Sequence, residues 1–255
     1  MQDFKFGGCR LSEFGGRLTE RVGIEIAQRD VTLVDIPGKD GSDCIDNGRY
    51  KNVDFTRSIA LTGDDLAERT SLLIRHFAYR QGYAEFEDTE HPGMVCEAIL
   101  TNFTEVVREL RTLRTATLNF SRKPYWYLKA GLLEQQLDLT ALTGDGITLY
   151  NPFPAEAKPL VRIYYPNGTV ISKIKLTING AAYQLPVSAP FTVSGLFFEY
   201  DLENKRAAWK TAAGAINSFP DMSISEPFRP GTNTIAAKLT GTPSAVKIIP
   251  RWRCL

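Results

Sequence analysis

Apolar and polar positions alternate through most of this chain, and the alternation breaks to a helical period only once. Phe4 and Phe6 share one face of a short extended run that stops at Gly7-Gly8, and Phe14-Gly15-Gly16 marks a further turn. Residues 31–36 read as a strand. Residues 50–55 alternate as a half-buried strand does, and 56–61 continue the β pattern until Thr62-Gly63 interrupts it. Leu66, Thr70, Leu73, Ile74 and Phe77 then recur at helical spacing, with Glu68, Arg69, Arg75 and Arg80 facing outward. Asp65 stands where a cap is needed, Glu68 where a capping box places its carboxylate, and Gly82 where the helix is expected to end.

After this helix the β pattern resumes. Residues 83–86 and 94–100 read as strands around the His91-Pro92-Gly93 turn, and 116–127 alternate into a Pro-terminated aromatic run. Residues 131–158 hold Gly144-Asp-Gly146 and Asn151-Pro-Phe-Pro154 and read as a connection, with room for a short strand or helix around Leu132 to Leu142. Beyond them, strands are predicted at 160–165, 170–178, 192–200 and 206–210, with Asn179-Gly180 as the strongest hairpin signal. The fold class that follows is mainly β, with two sandwich-like domains at 1–130 and 159–255 joined by a linker at 131–158. The first domain carries the single helix.

One stretch stands apart from the regular pattern. Asp35-Ile36-Pro37-Gly38-Lys39-Asp40-Gly41, continuing through Asn47-Gly48-Arg49-Tyr50, reads as a shaped loop that joins two strands and projects from a sheet. Pro37 fixes its own φ, and the three glycines supply the positive φ that sharp reversals demand.

Composition narrows the chemistry. At 255 residues, 43% of them apolar and 23% charged, the chain has ample material for two packed cores. The net charge of +1 argues against a strongly basic nucleic-acid binder or an anionic-membrane anchor. Divided at Ala130, the first part carries −2 and the remainder +3. Arg108, Arg111 and Arg114 recur every third residue, and a solvated face accounts for them better than phosphate contact. Cys9, Cys44, Cys96 and Cys254 form no C-x-x-C unit and read as free thiols in a reducing cytoplasm. No apolar leader and no stretch of about 18 apolar residues is seen, so neither export nor membrane insertion is expected.

The two histidines, His76 and His91, fall in no nucleophile or metal pattern. Nucleotide-binding glycine motifs do not occur, and the Asp64-Asp65 and Glu85-Glu87-Asp88 carboxylates read as solvated groups. No enzyme activity, cofactor or metal is expected.

Several motifs together resemble a known family. Phe4-Lys-Phe6-Gly7-Gly8, Ser12-Glu-Phe14-Gly15, the Ile36–Gly41 loop and Gly48-Arg49-Tyr50 follow, in order and spacing, the opening of distal tail proteins of long-tailed, non-contractile bacteriophages. The aromatic run ending in Pro124-Tyr-Trp126-Tyr resembles the close of that family's first domain. Asn151-Pro-Phe-Pro with Lys158-Pro-Leu160, and Pro230-Gly-Thr-Asn233 leading to Ile248-Ile-Pro250-Arg-Trp252-Arg, resemble its second.

The resemblance implies a tail-tube-like first domain and a galectin-like, jelly-roll second domain. It implies a structural protein that forms a ring, a hexamer by analogy, between the tail tube protein and the tail-tip hub or tail-associated lysin. The tape measure and receptor-binding proteins would be further partners. DNA would traverse the lumen without specific binding, which a slightly acidic first domain favours. The place implied is the virion tail tip, assembled in the host bacterial cytoplasm. Pro37, Gly38, Lys39, Asp40, Gly41, Gly48, Arg49 and Tyr50 are the expected inter-subunit contact. Two alternatives remain: a carbohydrate-binding module, with Trp209 or Trp252 as stacking platform unless they serve the core, and a tube or baseplate component of a contractile machine.

Overall fold

The structure is a computed structural model that describes residues 3–20, 23–103, 106–184, 191–192, 197–211, 214–219 and 226–255. It is mainly β and divides into two compact units, Met1–Trp126 with Leu255 and Tyr127–Cys254.

In the first unit, seven antiparallel strands run in the spatial order Cys9–Arg10, Phe4–Phe6, Ala84–Asp88, Met94–Phe103, Leu113–Arg122, Val53–Thr62 and Gly16–Leu18. Val107–Leu110 pairs with the beginning of Leu113–Arg122. The inward positions are aromatic. Phe4, Phe6, Phe55, Phe77, Phe86 and Phe120 are buried and meet one another with ring centroids 5.2 to 5.9 Å apart. Each buried ring of this size contributes roughly 1.5–3 kcal/mol.

The helix Leu66–Phe77 covers this core with Leu66, Leu73 and Phe77, and Thr70 donates its hydroxyl to the Leu66 carbonyl at 2.6 Å. The expected stripe is therefore present and the helix begins directly after Asp65, but the cap bond and the C-terminal end differ. The Asp65 carboxylate makes no capping hydrogen bond, because φ −98° and ψ 45° are not the extended backbone a cap requires. The helix stops at Phe77, short of Gly82.

The second unit is a β-sandwich. One sheet runs Gln135–Leu137, Ala245–Ile249, Leu160–Tyr164, Phe197–Asp201, Arg206–Thr211 and Gly214–Phe219. The other runs Ile147–Asn151, Gly231–Leu239, Ile174–Ile178 and Ala181–Gln184. Val161, Ile163, Phe198, Trp209 and Val246 from the first sheet share one core with Leu176, Ile178 and Ile235 from the second.

The linker expected at 131–158 is instead part of this unit. Gln135–Leu137 and Ile147–Asn151 are edge strands of the two sheets, and between them lies the helix Leu139–Thr143. Asp138 caps that helix by accepting from the Thr140 and Ala141 amides at 2.8 and 3.1 Å. The Asn179-Gly180 hairpin forms as predicted, with φ of +48° and +86°. Of the strand expected at 192–200, residues 193–196 lie outside the described residues, and Phe197–Asp201 is a strand.

Candidate inter-subunit arm

The stretch singled out in the sequence belongs to a separate two-stranded ribbon. Arg29–Asp35 pairs with Ser42–Tyr50 in antiparallel register: Val31 opposite Asp46, Thr32 opposite Ile45, Leu33 opposite Cys44, Val34 opposite Asp43 and Asp35 opposite Ser42. No third strand joins either edge among the described residues. At ~3.3 Å per residue, the seven residues of Arg29–Asp35 make an arm on the order of 20 Å long.

Its tip is held by local chemistry. The Lys39 amide donates to the Ile36 carbonyl at 3.1 Å, closing a turn around Pro37 and Gly38. Gly38 and Gly41 adopt φ of +84° and +80°, a region that strains side chains with a Cβ. The Ser42 hydroxyl donates to Asp35 at 2.5 Å, and Lys39 pairs with Asp43.

The base is held by charge. Arg49 Nε donates to Asp30 Oδ2 at 2.6 Å, Lys51 lies 3.6 Å from the same carboxylate, and Arg29 pairs with Asp46 at 2.7 Å. The hydrogen bond from Arg49 holds the Asp30 carboxyl below its ordinary range. Tyr50 packs edge-to-face on Tyr125 with centroids 6.0 Å apart.

The predicted contact residues therefore form two groups. Pro37, Gly38, Lys39, Asp40 and Gly41 make the exposed tip, whereas Gly48, Arg49 and Tyr50 lie on the returning strand at the base. What the sequence reading missed is the shaft between them. Leu33 and Ile45 are 66% and 54% exposed, and Val31, Val34 and Ile36 are also open. Register puts Val31 and Leu33 on one face and Val34 and Ile45 on the other. A lone ribbon with apolar side chains on both faces is marginal in water and gains from being covered.

Other candidate chemistry resolves into packing. His91 stacks on Trp126 at 4.1 Å, with Nδ1 2.8 Å from Asp88 Oδ1. Trp209 and Trp252 are buried and cannot serve as exposed sugar platforms. No group of three or more His, Cys, Asp or Glu side chains among the described residues is placed to hold a metal. Among those residues no helix is long and apolar enough to cross a membrane.

The sequence matches no protein-family model and no curated protein. Among solved structures it is similar to the SPP1 Dit (gp 19.1) protein, described as a paradigm of the hub adsorption apparatus in phages that infect Gram-positive bacteria. The TM-score is 0.67 at 15% identity, over 97% of each chain. The chain has a Dit-like fold. The likeness extends over both units, and at that identity it speaks for the backbone and not for particular side chains.

Proposed function

We propose that this chain is a structural, non-enzymatic component of a phage tail tip, a distal tail protein. Its first unit closes copies of itself into a ring, hexameric by analogy, and its second, galectin-like unit carries or contacts host-adsorption parts. The observation that carries this reading is the exposed arm, with apolar side chains on both faces left open by the described residues, in a protein of Dit-like fold. A ring requires two different surfaces on each copy that meet and repeat by rotation, and a projecting element can supply one of them. The arm is such an element. Tail tube protein would lie on one side of the ring, and hub or lysin, with tape measure and receptor-binding proteins, on the other. DNA would pass through the lumen unbound, since phosphate binding needs clustered Lys and Arg.

Light scattering coupled to size exclusion, with negative-stain microscopy of the same fractions, tests the proposal. Annular particles with a central hole are expected from the intact chain, and monomers from a chain whose residues 33–44 are replaced by a two-residue turn. Rings that persist after that replacement contradict the assigned role of the arm.

A further inference from the structure

We propose that the arm of one copy seats in a groove on the open face of the first unit's sheet in the next copy, beside the Val107–Leu110 strand. This rests on reading the arm as an inter-subunit contact and names the surface that receives it. Cross-strand register fixes where the groove lies. Arg17, Ala60, Thr115 and Val107 stand in one row, and Ser58 and Thr117 in the next. These positions alternate with the inward Ile59, Leu61, Ala116 and Leu118, so they occupy the face turned away from the phenylalanine core.

The groove has a volume of about 400 Å³ and is lined by Thr19, Ser58, Val107, Thr115 and Thr117 above Ile59 and Ala116. Its lining is uncharged, and no arm residue lines it within one copy. Val107 and Leu110, 49% and 62% exposed, add an apolar rim. Their strand pairs only with Leu113–Arg122 among the described residues, leaving a bare edge of the kind that recruits another strand.

Charge selects the arm as occupant. Asp35, Asp40 and Asp43 outnumber Lys39 along its distal half. In the outward row beside the groove, Arg17 forms no ion pair among the described residues. Among the described residues, Glu20 accepts from the Ser58 amide at 3.2 Å and Glu109 from the Thr115 hydroxyl at 2.7 Å. An acidic ribbon with apolar faces matches an uncharged groove with an apolar rim, a bare strand edge and the Arg17 guanidinium beside it.

The exposed Cys44, opposite Leu33 on the arm, allows a direct test. In a chain carrying Val107→Cys with Cys9→Ser and Cys254→Ser, mild oxidation should give a covalent ladder on non-reducing gels. Adding Cys44→Ser should abolish it. The pair Val107→Asp and Leu110→Asp alters exposed side chains, so circular dichroism should stay native while the large species is lost from light scattering. Suppose truncation of 33–44 abolishes assembly, yet no ladder forms and the double Asp variant still assembles. The groove assignment is then overturned and the role of the arm stands. If the truncated chain assembles like the intact one, or the intact chain never assembles, both fall.

Discussion

At the scale of the residue, two opposing effects can be weighed at Gly131. It lies in the short helix Lys129–Leu132, where alanine is intrinsically better than glycine by up to ~1 kcal/mol. A Cβ there would stand 2.9 Å from Trp252 Cδ1 and 3.0 Å from the Trp252 backbone nitrogen. The Gly131 carbonyl also accepts from the Arg251 amide at 2.8 Å, which limits how far the two segments can separate. Overpacking against a buried ring costs roughly 1–3 kcal/mol, enough to outweigh the propensity gain. Gly131→Ala is therefore expected to lower the thermal midpoint of the second unit by a few degrees, and an unchanged or higher midpoint contradicts the packing argument. Residues of this kind were legible in the sequence only where their chemistry is local. Asn179-Gly180 announced its hairpin. Within Pro230-Gly-Thr-Asn233, the buried Asn233 ties the turn by donating to the Arg229 and Gly231 carbonyls at 2.8 and 2.9 Å. Asp65 looked equally local and failed, because a cap depends on the ψ at its own position as well as on residue type.

At the scale of the element, the arm shows what alternation can and cannot reveal. Patterning records burial, so a strand with one face in a core betrays itself, as Val53–Thr62 and Leu113–Arg122 do. Ser42–Tyr50 has no buried face. Its Asp, Asn and Gly residues made it read as loop, and only its exposed Cys44 and Ile45 hint otherwise. The same limit blurred the edge strands within 131–158, where the Gly144-Asp-Gly146 and Asn151-Pro-Phe-Pro154 breaks interrupt the alternation. The two-sided exposure of the arm also carries a prediction. In dilute monomer the amides of 31–35 and 43–46 should exchange quickly, because a two-stranded ribbon opens at little cost. In the assembled particle they should slow by at least about tenfold, which is ~1.4 kcal/mol of added protection. Hydrogen exchange read by mass spectrometry distinguishes the two states, and equal exchange in both would mean that nothing covers the arm.

At the scale of the whole molecule, the sequence disclosed two β-rich units because each has its own run of strands. It misplaced the border because a polar edge strand and a linker share composition. The second unit also concentrates buried carboxylates whose fate with pH can be worked out. Burial pushes Glu199 up, but hydrogen bonds from Lys210 and Arg162 outweigh it and hold the carboxyl below its ordinary range. Burial likewise raises Asp201, and the hydrogen bonds from Arg251 and Asn204 bring it below its ordinary value. Unfolded Glu and Asp titrate near about 4.3 and 3.9, so the unfolded chain takes up protons first as pH falls. The stabilisation is therefore complete at neutral pH, begins to fade near pH ~5, and is lost as pH drops through the lower folded-state values. Urea midpoints of the second unit should be flat from pH 7 to about 5 and decline below that. Glu199→Gln should lower the midpoint at pH 7 and make the acid decline shallower, since Lys210 and Arg162 then face a neutral amide at every pH. A Gln variant whose acid decline is as steep as that of the unaltered chain would place the origin of the decline in other carboxylates, with Asp201 next in line for the same substitution test.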